Sequence, residues 1–202
     1  MIALDGTGFP ESQAFIWTQY PEWRPSPWVP GRNGLALEFT GSTSAYAQLF
    51  RNRGITGRNP RTVAAWIKTD TTGAILAWGD GAATGRKWTF RVQDNNGVAG
   101  ALRVEVQNGY VVGTTPLTDG EWHHVAATWE DDGTPQVTDV KLYVDGAAEA
   151  FSASRVAPMN TAGTNDVVIG RDYDNRGFNG LTDEVRIYDR ALSCAEIAEL
   201  AE

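Results

Sequence analysis

From Leu35 to Tyr188 short apolar runs alternate with turn residues at intervals of roughly ten positions, a spacing that suits strands and is too short for helices. The runs predict strands over residues 35–39, 46–49, 62–68, 74–78, 88–92, 102–107, 110–112, 122–129, 139–144, 166–169 and 180–188. Within 102–107 the period is two. Leu102, Val104 and Val106 alternate with Arg103, Glu105 and Gln107, so one face of this strand is expected in a core and the other in water. Asn108-Gly109 and Asp145-Gly146 read as tight hairpin turns, because both central residues of a type I′ turn need positive φ.

The two ends differ from this middle. Residues 1–33 carry Pro10, Pro21, Pro25, Pro27 and Pro30, which exclude a helix or a central strand over most of the stretch. Phe15, Trp17, Tyr20, Trp23 and Trp28 lie among them. The segment either wraps the sandwich and tucks its rings into the core edge, or presents a ring platform to a sugar. At the other end Ser193 caps a helix, Glu196 completes a capping box, and Leu192 with Ile197 forms a hydrophobic staple. The expected organisation is one domain over 1–202: an irregular lead-in at 1–33, a β-sandwich at 34–190 and a C-terminal helix at 193–202.

At 202 residues and 42% hydrophobic content, one sandwich with a full core fits the chain. A formal net charge of -8 argues against nucleic acid or an anionic membrane as partner, since both need clustered lysine and arginine. No run approaches the roughly 20 apolar residues of a membrane-spanning helix. Acidic excess fits either plain solubility or a hard cation such as calcium. A single cysteine, Cys194, excludes an intrachain disulfide and is expected to be a small core residue of the helix. Residues 1–5 have neither a basic region nor an apolar run, so they are not expected to be a signal peptide. The chain is expected to be intracellular or, as its likeness below suggests, an excised domain of an exported, extracellular or cell-surface protein.

Three segments carry a resemblance. They are Trp28 to Phe39 (WVPGRNGLALEF) with Thr40-Gly41; Asp119 to Trp129 (DGEWHHVAATW) leading into Val140 to Gly146 (VKLYVDG); and Val168 to Arg171 (VIGR) with Phe178 to Ser193 (FNGLTDEVRIYDRALS). Together they resemble bacterial laminin-G-like domains of the concanavalin A-like lectin and glucanase superfamily. The resemblance covers roughly residues 28 to 202 and implies an all-β fold, a two-sheet antiparallel jelly-roll sandwich with a short C-terminal helix. For function it implies less, because this superfamily hosts lectins, adhesion modules, glycanases and lyases.

The resemblance also implies a calcium ion at the sandwich edge, held by Asp183 with the Gly41 carbonyl. Two positions depart from the family pattern: the usual Phe-Asp-Gly is Phe39-Thr40-Gly41, and Ala45 stands where an aspartate often precedes the tyrosine. His123 and His124 are adjacent on a strand and point opposite ways, so they cannot chelate one metal together and are expected to be structural.

Three polar loops could meet a glycan. Asp172, Tyr173, Asp174, Asn175 and Arg176 crowd two carboxylates, a phenol, an amide and a guanidinium between strands, and Tyr173 could stack on a sugar. Asp94 and Asn96 lie in a second loop, and Arg86 leads to Trp88 in a third. For catalysis the sequence lacks a Glu-x-Asp-x-x-Glu run, a nucleophile elbow, and a His and Tyr pair in a basic groove. The expected function is a carbohydrate-binding or adhesion module of a multi-domain protein, partnered by a polysaccharide or glycan and by neighbouring domains. The alternatives are a protein-interaction or spacer domain, and a divergent glycanase or polysaccharide lyase.

Overall fold

The computed structural model describes the backbone of residues 2–4 and the whole of residues 27–202. In chain order the strands are β1 (Ile2–Leu4), β2 (Trp28–Pro30), β3 (Leu35–Thr40), β4 (Ala47–Leu49), β5 (Arg61–Lys68), β6 (Gly73–Gly79), β7 (Lys87–Val92) and β8 (Ala101–Val106). They continue with β9 (Gly109–Pro116), β10 (Trp122–Trp129), β11 (Lys141–Val144), β12 (Ala147–Glu149), β13 (Ala153–Arg155), β14 (Val167–Ile169) and β15 (Asn179–Tyr188). A single α-helix, α1 (Cys194–Leu200), closes the described chain.

The strands form two antiparallel sheets, one of eight strands and one of seven. The first runs β12-β11-β10-β5-β15-β3-β2, with β1 added beside β15; the second runs β13-β9-β8-β7-β6-β14-β4. Side-chain alternation explains why they face each other. Val63, Ala65 and Ile67 of β5 and Val125, Ala127 and Trp129 of β10 meet Trp88, Phe90 and Val92 of β7 and Leu102, Val104 and Val106 of β8 in one core. The expected sandwich is therefore present.

Two sequence expectations about the strands change. Ile2–Leu4 and Trp28–Pro30 are strands, so the lead-in is not irregular throughout; Pro30 is tolerated because β2 ends its sheet. Phe15, Trp17, Tyr20 and Trp23 lie outside the described residues, while Trp28 is half-buried and packs on the core. The first hairpin turns one residue early, at Gln107-Asn108, with only Asn108 at positive φ (68°). Gly109 instead begins β9, where an added Cβ would lie 2.3 Å from that of Ala157. The second hairpin is as expected, with Asp145 and Gly146 at φ 49° and 80°.

Helix α1 lies on the outside of the eight-stranded sheet. Leu192 and Ile197 pack with Ala64, Ala126 and Tyr143, and the Ser193–Glu196 capping box forms in both directions. Cys194 is exposed rather than in the core, because Ile197 and Leu200 take the inward stripe of this short helix. Among the described residues no helix is long and apolar enough to cross a membrane.

Candidate functional site

Alternation places polar groups on the outer face of the seven-stranded sheet. While Trp88, Phe90 and Val92 point into the core, Lys87, Thr89 and Arg91 point out of β7; Arg103 and Glu105 do the same from β8. Register then decides who meets whom. Arg91 lies directly across from Arg103, Thr89 from Glu105, and Glu105 from Tyr110 of β9. Two like charges opposite each other repel, so the pair needs a carboxylate at hand. Glu105 supplies it, 2.8 Å from the Arg103 guanidinium and 3.4 Å from that of Arg91.

The 171–176 loop folds over this face and extends the network. It starts at Gly170, whose φ of 84° and contact with the Phe39 ring leave no room for a Cβ. Asp172 is buried and builds the loop: its Oδ1 accepts the backbone N–H of Asp174 (2.9 Å) and Arg176 (3.0 Å), and its Oδ2 accepts from Arg176 Nε (2.6 Å). Arg176 reaches on to Glu105 at 3.2 Å and to Asp174 at 2.9 Å. Lys87 bridges the same two carboxylates, Glu105 at 2.7 Å and Asp174 at 2.5 Å.

Electrostatics follow from the geometry. Burial pushes the Glu105 pKa up, but the Lys87 hydrogen bond and the charges of Arg176, Lys87 and Arg103 overcome it, and the value falls to about 2. A carboxyl that stays ionised down to such acid cannot serve as a general acid near neutral pH. Arg91 is lowered to about 10, first by burial and then by the neighbouring Arg176 charge. Beside this network opens a groove of about 450 Å³, walled by Lys87, Asn96, Arg103, Glu105, Tyr110, Arg155 and Asp174. Arg103 lies over the Tyr110 ring at 4.0 Å and holds it.

The sequence-derived candidates divide. Asp174, Arg176 and Asn96 come to this groove or its ion pairs. Asn175 makes the exposed turn of the loop at φ 62°, and exposed Asp94 sits near enough to Arg91 to act on its charge. Tyr173 is bound elsewhere, its hydroxyl donating to the Asp166 carbonyl (2.6 Å). Arg86 forks onto Asp80 at 3.0 and 2.9 Å, away from the groove. Trp88 is a correction: it is wholly buried and stacked on Trp78 at 5.6 Å, so it cannot meet a sugar. Its parity with Phe90 and Val92 is the signal that places it inside. Lys87, Arg91, Arg103, Glu105, Tyr110 and Arg155 were missed; charged residues at the outward positions of two successive strands mark the first four.

The expected calcium pair is not brought together. The Gly41 N–H donates to the Phe178 carbonyl, and Asp183 lies five residues further along the chain, roughly 16 Å away. Both Asp183 oxygens already accept backbone N–H groups, from Asn33 and Glu184, each at 2.8 Å. Among the described residues no group of three or more His, Cys, Asp or Glu side chains is placed to hold a metal. Asp183 and Gly41 do not fit calcium as a shared site. His123 and His124 diverge as expected: His123 meets Asp145 (2.8 Å) and Asp119 (3.2 Å), whereas His124 is buried against Trp66.

The laminin-G family model for the concanavalin A-like lectin/glucanases superfamily matches residues 40–198. This chain belongs to that family. One curated relative is the sushi, von Willebrand factor type A, EGF and pentraxin domain-containing protein 1 of Rattus norvegicus, 26% identical over 154 residues. The match takes in 69% of this laminin-G-like chain and only 4% of that protein. Domain 4 of an extracellular arabinanase from Geobacillus stearothermophilus, solved with arabinotriose, shares the fold with TM-score 0.64 and 20% identity, over 87% of this chain and 80% of that one. The Ruminococcus gnavus sialidase CBM40 bound to α2,3-sialyllactose has TM-score 0.60 and 16% identity, covering 83% and 96%.

Proposed function

We propose that this laminin-G-like domain is a non-catalytic carbohydrate-binding or adhesion module of an exported multi-domain protein, with its glycan site in the groove beside Glu105. One observation carries the proposal: strand-mounted Lys87, Arg103 and Tyr110 converge with Asp174 and Arg155 on one open groove. Fixed donors, acceptors and an aromatic wall are what sugar hydroxyls and a sugar face require. Glu105, held ionised among cations, is not itself poised as a proton donor. The arabinotriose and sialyllactose complexes of proteins with this fold support the reading.

A second reading, a protein-interaction or spacer domain, draws on the same face. Arg91 and Arg103 both pair with Glu105, so the sheet face holds ion pairs of its own. Thermal unfolding with a panel of soluble glycans separates the two, because a ligand that binds the native state raises the midpoint. The module predicts a saturable rise with at least one glycan, lost in Tyr110→Ala. No rise across the panel leaves the spacer. Repeating the panel with calcium and with EDTA reads the cation; a calcium-dependent rise adds it to the module, at a site other than the Asp183–Gly41 pair.

A further inference from the structure

We infer that the groove takes a carboxylated sugar, and that Asp174 occupies the place of the ligand's carboxylate. The inference rests on the glycan-binding reading and names the class of its ligand. The chain is acidic overall, yet five of its seventeen lysines and arginines gather at this face: Lys87, Arg91, Arg103, Arg155 and Arg176. They meet three carboxylates, Glu105, Asp172 and Asp174, with Asp94 further out. A neutral sugar needs donors and acceptors but no surplus of cations. An anion does.

The three carboxylates have different holds. Glu105 is mounted on β8 and contacts four cations. Asp172 is buried and committed to the backbone of its own loop. Asp174 is the loosely held one. It sits on an exposed turn with 46% of its side chain accessible, and reaches Lys87 and Arg176 from the solvent side. Because the Asp174 carboxylate itself faces solvent, a carboxylate arriving from solution can compete with it for the same two cations.

Arg155 supplies a further anion contact. It is exposed at the end of β13, has no ion-pair partner among the described residues, and lines both this groove and an adjoining one of about 690 Å³. A planar guanidinium forks onto a carboxylate, and the Tyr110 ring beside it offers a wall for the sugar body. The position of Arg155 between two grooves also leaves room for more than one sugar residue.

The test is calorimetric titration of the full chain with two acidic sugars and two neutral counterparts: α2,3-sialyllactose against lactose, and trigalacturonate against arabinotriose. At least one acidic sugar is expected to bind about tenfold or more tightly than its neutral counterpart, as a charge-assisted contact implies. Arg155→Ala is expected to weaken acidic binding several-fold and neutral binding by clearly less, so that the margin narrows, and Asp174→Asn to tighten acidic binding several-fold. Equal affinity for acidic and neutral sugars overturns the inference and leaves the glycan site standing. So does an Arg155→Ala loss shared equally by both. No binding of any of the four sugars at millimolar concentration overturns the glycan reading and this inference with it. Should Asp174→Asn unfold, the Arg155 variant on the exposed rim still decides.

Discussion

At the scale of single residues, Glu105 is the position on which the outer face turns. Four cations converge on it, and removal of its charge leaves them facing one another. Its pKa is about 2 in the fold against 4.5 as a free group, so the folded state favours the ionised form. For a depressed carboxylate the stabilisation is full above the unfolded value and is lost as pH falls through the folded one. Glu105 is therefore expected to contribute about 3 kcal/mol at neutral pH, fading between pH 4.5 and about 2. Urea unfolding of Glu105→Gln should show a lowered midpoint at pH 7 and convergence with the parent chain toward pH 2. A parallel pair of stability curves across that range would place the charge elsewhere. The sequence made half of this legible. Period-two alternation separated Arg103 and Glu105 from Leu102, Val104 and Val106, but nothing local says that Arg176, seventy-one positions away, folds over them.

At the scale of elements, strand positions and the capped helix were readable because each depends on neighbours in sequence: parity along a strand, a capping box, an Asp-Gly turn. What was not readable depends on packing between distant segments. The first hairpin slipped by one residue because Gly109 is needed against Ala157, and Asp183 and Gly41 parted because the strand register sets them five positions apart. Between β10 and the β11–β12 turn, His123 clips Asp119 to Asp145 with both ring nitrogens. Burial works to lower its pKa, but the Asp145 and Asp119 hydrogen bonds more than compensate, and the value is raised. A raised histidine stabilises fully below its unfolded pKa, and the contribution is lost as pH rises through the folded one. His123→Ala should accordingly lower the urea midpoint more at pH 6 than at pH 9. Equal losses at both pH values would reduce the clip to packing alone.

At the scale of the whole molecule, a cationic groove on a chain of net charge -8 gives an acidic ligand two opposed fields. From afar the ligand meets the summed negative charge and is repelled; within the groove it meets Lys87, Arg155 and Arg176. Salt separates the two by range. Raising ionic strength from about 0.01 M to 0.15 M shortens the screening length from roughly 30 Å to 8 Å, which removes the distant repulsion first and weakens short contacts less. For sialyllactose or trigalacturonate, stopped-flow measurement is expected to show association speeding up over that interval while dissociation also quickens. A ligand steered in by an overall attractive field would do the reverse in association, slowing as salt rises. That outcome would mean the groove's cations govern the approach as well as the contact, and that the acidic remainder of the surface lies out of the ligand's path.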